Sequence, residues 1–211
     1  MSPGDELQRR IVDYFEQKLG EHGATAQGVD WNSEASQVLR FRQLLRLTEN
    51  GIPFSITDFG CGYGALADHL LSLDAAVEYF GLDISGDMVA AAGARHLGHS
   101  SITFALGNVP DRPRDYCVAS GIFNIKLDTP NQKWLEYVLG TLDVMHEYST
   151  RGFAFNALTV YSDADRMRGD LYYADPLEIF DHCKRRYSHN IALLHDYGLY
   201  EFTILVRKAV G

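Results

Sequence analysis

The sequence predicts an α/β protein built on a doubly wound, mostly parallel sheet, and three observations carry that prediction. From Phe54 onward, short apolar strands alternate with helical segments across tight turns, the pattern of parallel strands joined by crossover helices. The first of these strands runs into a glycine-rich turn, Asp58-Phe59-Gly60-Cys61-Gly62-Tyr63-Gly64. The chain closes with two strands separated only by a short turn around Asp196-Tyr197-Gly198, a link too short for anything but an antiparallel pair.

The elements follow in order. Leu7, Ile11, Tyr14, Phe15 and Leu19 fall at helical spacing, and Gly20 and Gly23 punctuate the end of that helix. A polar loop carrying Trp31 leads to Ser33, an N-cap for a second helix with Val38, Phe41, Leu45 and Thr48 on one side; Asn50-Gly51 ends it. Strands are expected at 53–59, 78–83, 101–106, 115–120 and 152–160. Between them lie a helix over 65–73, a helix capped by Ser85 with Met88, Ala91, Ala92 and Arg95 along it, and one with Trp134, Val138, Thr141, Leu142 and Met145 on one face. Residues 161–176 are too polar and too many for a plain strand-to-helix turn. Asp175 and Pro176 then open another helix as N-cap and first helical residue, before the two closing strands at 189–195 and 201–208.

Composition narrows the function. The 211 residues suffice for one sizeable core, so a single domain over 1–211 is expected, with residues 1–50 as an N-terminal helical cap and 161–176 as a lid insertion. A net charge of −9 repels phosphate backbones and anionic lipid, which argues against nucleic acid and membrane partners. Cys61, Cys117 and Cys183 form neither a disulfide framework nor a zinc spacing. With a charged opening instead of a signal peptide and no long apolar run, they fit a cytoplasmic protein without a metal.

The glycine-rich turn brings backbone close to a ligand at a helix N-terminus. Asp58 is unusual there: two residues before the first glycine, a carboxylate repels a pyrophosphate and suits an ammonium group. Asp83, 25 residues later at the end of the second strand, can accept both hydroxyls of a ribose. Residues 58–64 (DFGCGYG) and 81–88 (GLDISGDM) resemble the class I S-adenosylmethionine-dependent methyltransferases, and the likeness runs over about residues 54–160. It implies a Rossmann-like sheet of seven strands, mostly parallel with an antiparallel C-terminal strand. It also implies S-adenosyl-L-methionine as cofactor, leaving as S-adenosyl-L-homocysteine. On that resemblance Gly60 and Gly62 pack against the methionyl part, with Cys61 as a small space-filler beside the cofactor, and Asp58 faces its amino group. Asp83 holds the ribose, Asn108 accepts from the adenine amino group, Ile84 and Val109 are apolar contacts to the purine, and Met88 is a further cofactor position. Ser120 and Gly121 close the fourth strand beside the cofactor.

The acceptor is expected above the ends of the fourth and fifth strands. The residues placed there are Phe123, Asn124, Asn156 and Tyr161, with Tyr172, Arg166 and Arg168 in the lid and Trp31 closing over from the N-terminal helices. His195, at the end of the sixth strand, is the candidate base. The segment Ser120–Asn124 lacks the double-proline signature of enzymes that methylate exocyclic amines. The expectation is in-line methyl transfer to a small-molecule metabolite, at oxygen before nitrogen. Two alternatives stay open: a non-catalytic cofactor-binding module on the same fold, and an NAD-dependent oxidoreductase, because Gly60-x-Gly62-x-x-Ala65 satisfies a loose dinucleotide fingerprint.

Overall fold

The computed structural model describes residues 3–49 and 51–209, among which lie six α-helices, seven strands and two short 3-10 turns; Asn50, the expected end of the second helix, lies outside them. Helices α1 (Pro3–His22) and α2 (Glu34–Leu45) precede the sheet. Then come β1 (Phe54–Phe59), α3 (Ala65–Ser72), β2 (Val77–Asp83), α4 (Gly86–Arg95), β3 (Ile102–Leu106) and β4 (Arg114–Ala119). The chain ends with α5 (Asn131–Glu147), β5 (Ser149–Leu158), α6 (Pro176–Arg186), β6 (Asn190–Leu194) and β7 (Glu201–Arg207).

The strand order is β3-β2-β1-β4-β5-β7-β6. All pairs from β3 to β5 are parallel, and β7 runs antiparallel to both β5 and β6. This is the expected fold, with one detail added: the antiparallel strand is inserted between β5 and β6. Strand β1 pairs with β2 on one side and β4 on the other, so the winding reverses there. Phe59 stands level with both Leu82 and Ala119. The turns after β1, β2 and β4 therefore open at one edge, where α/β sheets bind ligands.

Both faces of the sheet are covered, as buried parallel strands require. Side chains alternate between two cores: Cys117, Ala119, Phe153, Phe155, Phe202 and Ile204 face α5 and Trp134, while Tyr116, Val118, Ala154 and Leu205 face Phe41, Leu44, Leu66 and Leu70. The face of α2 differs from the expected one. Gln37, Arg40, Phe41 and Leu44 are buried, and Val38 and Leu45 only partly so. Two polar side chains on that face have buried polar partners, which apolar spacing does not reveal.

The predicted caps are present. Ser33 Oγ and Ser85 Oγ each accept a backbone N–H three residues on. Asp175 Oδ1 accepts from Leu177 N at 2.8 Å and from Glu178 N at 3.4 Å, with Pro176 opening α6. Replacing Asp175 with alanine should cost about 1 kcal/mol. Thermal unfolding should then shift down by roughly 2–4 °C, as differential scanning calorimetry would read.

Residues 161–176 fold back on the sheet. Lys126 N and Leu127 N donate to Asp170 O, Tyr172 N donates to Asn124 O, and Ala174 N donates to Leu158 O. Among the described residues no helix is long and apolar enough to cross a membrane, and no cluster of His, Cys, Asp and Glu is arranged to hold a metal.

Candidate active site

At the winding reversal a cavity of about 690 Å³ opens over the ends of β1, β2 and β4. Its floor is the glycine turn. Gly60, Gly62 and Gly64 have φ of 67°, 54° and 86°, a region that side chains with a Cβ rarely adopt. Gly60 N and Cys61 N donate to Leu82 O, tying the turn to β2. Asp83 completes the tie: Oδ2 accepts from Gly62 N at 2.8 Å and Oδ1 accepts from Ser85 N at 2.9 Å. One carboxylate thus fixes both the turn and the start of α4.

Asp58 is buried on the same cavity, and its Oδ2 accepts from Tyr79 OH at 2.6 Å. Burial pushes the Asp58 carboxyl up to about 7; the Tyr79 bond opposes this and the charge of Asp83 adds to it. Asp83 is raised by burial as well, against the bonds from Ser85 and Gly62. Desolvation disfavours the charged form of each group, and among the described residues no cationic side chain forms an ion pair with either.

The opposite wall follows β4. Gly121 has φ of 79°, and its N–H donates to Asn156 Oδ1 at 2.8 Å. Asn156 Nδ2 donates to Ser120 Oγ at 3.3 Å. Gln8, Ile11 and Phe15 of α1 also line the cavity, as do Trp31, Gln37 and Arg40 from the N-terminal segment, Arg166, Arg168 and Tyr173 from the stretch after β5, and Tyr200 and Glu201 at the start of β7.

No family model matches the chain. Solved structures share its architecture. Magnesium protoporphyrin IX methyltransferase from Synechocystis PCC 6803, crystallised with bound SAM, superposes with a TM-score of 0.66 at 15% identity, covering 96% of this chain and 97% of that one. Human N-acetylserotonin methyltransferase in complex with SAM gives 0.66 at 17% identity, over 99% of this chain and 61% of the other. A protein of Mycobacterium tuberculosis (strain ATCC 25618 / H37Rv), "Putative methyltransferase Rv1506c", is 54% identical over 165 residues, which are 78% of this chain and 99% of that protein. The chain belongs to the class I S-adenosylmethionine-dependent methyltransferase family.

In this methyltransferase all eleven positions singled out for the cofactor line the one cavity: Asp58, Gly60, Cys61, Gly62, Asp83, Ile84, Met88, Asn108, Val109, Ser120 and Gly121. Of the positions singled out for the acceptor, Trp31, Asn124, Arg166 and Arg168 line it as well. The others do not. Phe123 is fully buried in the core, where its carbonyl accepts from Trp134 Nε1 at 2.7 Å and its ring meets Phe155 edge-on. Asn156 is fully buried behind the wall and acts on it through Gly121 and Ser120. Tyr172 points into the core, while its neighbour Tyr173 reaches the cavity, the alternation of an extended segment.

Tyr161 is 62% exposed and His195 is exposed; the two rings lie 6.1 Å apart, away from the cavity. His195 follows β6, and the insertion of β7 makes β6 the outer strand, so a side chain at its end cannot reach the ligand edge above β1 and β4. Sequence reasoning also missed Gln37, Arg40, Tyr63 and Glu201. Tyr63 OH donates to Gln37 Oε1 at 3.0 Å, and Arg40 pairs with Glu201 across 161 residues of sequence. No local signal links such partners.

Proposed function

We propose that this methyltransferase binds S-adenosylmethionine in the cavity at the winding reversal and methylates an oxygen of a small-molecule acceptor. The observation that carries the reading is the convergence of residues 58–62, 83–88, 108–109 and 120–121 on one cavity where Asp58 is buried, Asp83 is half-buried, and neither carboxylate has a cationic partner among the described residues. The site fits an amino-acid nucleoside. An ammonium beside Asp58 would offset the desolvation that raises its pKa. Asp83 stands at the end of β2 for a ribose, and Ile84, Met88 and Val109 offer apolar surface to a purine. The glycine turn leaves backbone open to the methionyl part; a Cβ at Gly62 would stand 3.1 Å from Val29 Cγ1.

The cofactor, when bound, supplies a methyl group already activated by its sulfonium. The chain's own residues then have to align the acceptor and exclude water. The described part of residues 1–50 is read as a cap over the donor half, and 161–176 as a lid over the acceptor half, both belonging to one domain. Trp31, Asn124, Arg166, Tyr173 and Tyr200 bound the acceptor half. Arg168 pairs with Asp170, whereas Arg166 has no carboxylate partner among the described residues and stacks near Tyr200. It is placed to hold an anionic group. No His or Lys stands among the described lining residues, and an ionised oxygen acceptor needs no base. The net charge of −9 supports a small molecule over a nucleic acid, and three buried free thiols suit the cytoplasm. Incubation with radiolabelled S-adenosylmethionine and a metabolite extract should place label in a small organic product at oxygen. Label confined to macromolecules, to nitrogen products, or absent altogether would overturn the reading.

Asp58 adds a pH dependence. Its folded pKa of about 7 lies above the ordinary 3.8, so the folded state holds this proton more tightly than the unfolded state. The group's contribution to stability is full below about pH 4 and is lost as pH rises toward 7. Binding of an ammonium runs the other way, because it selects ionised Asp58. Affinity for S-adenosylhomocysteine should therefore rise roughly tenfold from pH 6 to pH 8. Isothermal titration calorimetry at the two values tests this. Asp58→Asn should flatten the dependence, and an equal slope in that variant would assign the titration to another group.

A further inference from the structure

Arg40 and Glu201 meet as a bidentate pair with only 7% and 1% of their surface exposed. Arg40 Nε donates to Glu201 Oε2 at 2.7 Å and Nη2 donates to Oε1 at 2.8 Å. A third donor, Nη1, reaches Ser36 O at 2.8 Å. The guanidinium carbon then lies 3.9 Å from the centroid of the Trp31 ring, over its face. The edge of that same indole presses on Gly121: a Cβ added there would come within 2.3 Å of Trp31 Cζ2 and 2.5 Å of Cη2. Gly121 is itself fixed from behind by Asn156. The indole is thus held between a planar cation and a strip of bare backbone, and it forms part of the cavity wall.

A buried ion pair of this kind adds little net stability over apolar residues of similar size, because desolving two charges consumes most of their attraction. What the pair supplies is geometry. Arginine's planar fork locks onto the carboxylate and leaves one flat face for an aromatic ring. The anchor, Glu201, opens β7, and its Oε1 is also 3.5 Å from Asn124 Nδ2, a residue of the cavity wall whose Oδ1 accepts from Leu158 N.

We propose that Arg40 and Glu201 are positioning residues that hold the Trp31 indole against Gly121, where it forms the wall between the donor and acceptor halves of the cavity. Trp31 lines the cavity that the cofactor would occupy, and the pair acts through it. The proposal rests on the reading that this cavity takes S-adenosylmethionine.

A double-mutant cycle with S-adenosylhomocysteine as the probe tests it by calorimetry. Arg40→Lys keeps the charge and loses the fork and the flat face; Trp31→Phe removes the indole. Each single variant should bind about tenfold more weakly, and Arg40→Lys/Trp31→Phe no more weakly than Trp31→Phe alone. Fluorescence gives a readout independent of binding. The protein has two tryptophans, and Trp134 is fully buried, so acrylamide quenching should rise in Arg40→Lys and that rise should vanish with Trp31→Phe present. The pair R40M/E201M removes both charges together; it should melt near the wild type and still lose affinity about tenfold.

Additive losses in the cycle, or unchanged affinity in Arg40→Lys and R40M/E201M, would overturn the positioning role while leaving the cofactor reading intact. Loss of fold in both would mark the pair as structural and overturn it too. A wild-type protein that does not bind the probe would remove the cofactor reading and this proposal with it.

Discussion

Replacing Asp83 with alanine is expected to weaken S-adenosylhomocysteine binding at least about a hundredfold. The carboxylate accepts from Gly62 N and Ser85 N in the free protein, and hydrogen bonds to a charged group contribute about 1.5–3 kcal/mol each. Alanine removes both, so the glycine turn and the start of α4 lose their common anchor. It also removes the acceptor that faces the ribose on the proposed reading. Even one such bond, lost together with the ligand contact, amounts to about 3 kcal/mol, or roughly two orders of magnitude in affinity. Calorimetric titration measures it, with circular dichroism as the check on fold. Asp83→Asn keeps one acceptor oxygen and should fall between the two. A variant Asp83→Ala that binds within tenfold of the wild type would release Asp83 from this role.

The largest expected effect on stability is that of Arg40→Ala. Glu201 is 1% exposed, and its bidentate partner is Arg40. Removing one member of a buried pair leaves the other charge desolvated and costs about 3–5 kcal/mol. Against a total stability of about 5–15 kcal/mol, that is a large share, and chemical denaturation should show the midpoint falling accordingly. R40M/E201M should recover most of the loss, since no buried charge is left alone. If Arg40→Ala loses less than about 1 kcal/mol, water reaches Glu201 and the pair is not sealed.

These two residues mark the divide between what the sequence states openly and what it keeps hidden. Asp83 is legible because its role is local: it ends a strand, precedes a capped helix, and lies one strand–helix–strand step from a glycine turn. Every feature of that kind was readable, from the Asp175 cap to the eleven positions lining the cavity. Arg40 and Glu201 had no such signal. Their partnership depends on β7 entering the sheet beside β5 and on α2 crossing above it.

The misplaced acceptor residues have the same origin. Phe123, Asn156 and Tyr172 sit where strands and extended segments end, and from sequence each had two faces available. Core packing took the ring of Phe123 and the ring of Tyr172, and the backbone of Gly121 took the amide of Asn156. His195 and Tyr161 were lost to topology, because the outer position of β6 carries the end of that strand away from the winding reversal.

The sequence by itself determined the alternation of strands and helices, the antiparallel ending and the constellation of the cofactor turn, since all three are written in spacing over one or two elements. Only the tertiary structure decided which polar side chains face one another across the sheet edge and which aromatic rings turn inward. The physical reason is that these choices are settled by competition for buried space and for hydrogen-bond partners among segments up to 161 residues apart, and no local pattern encodes the outcome of that competition.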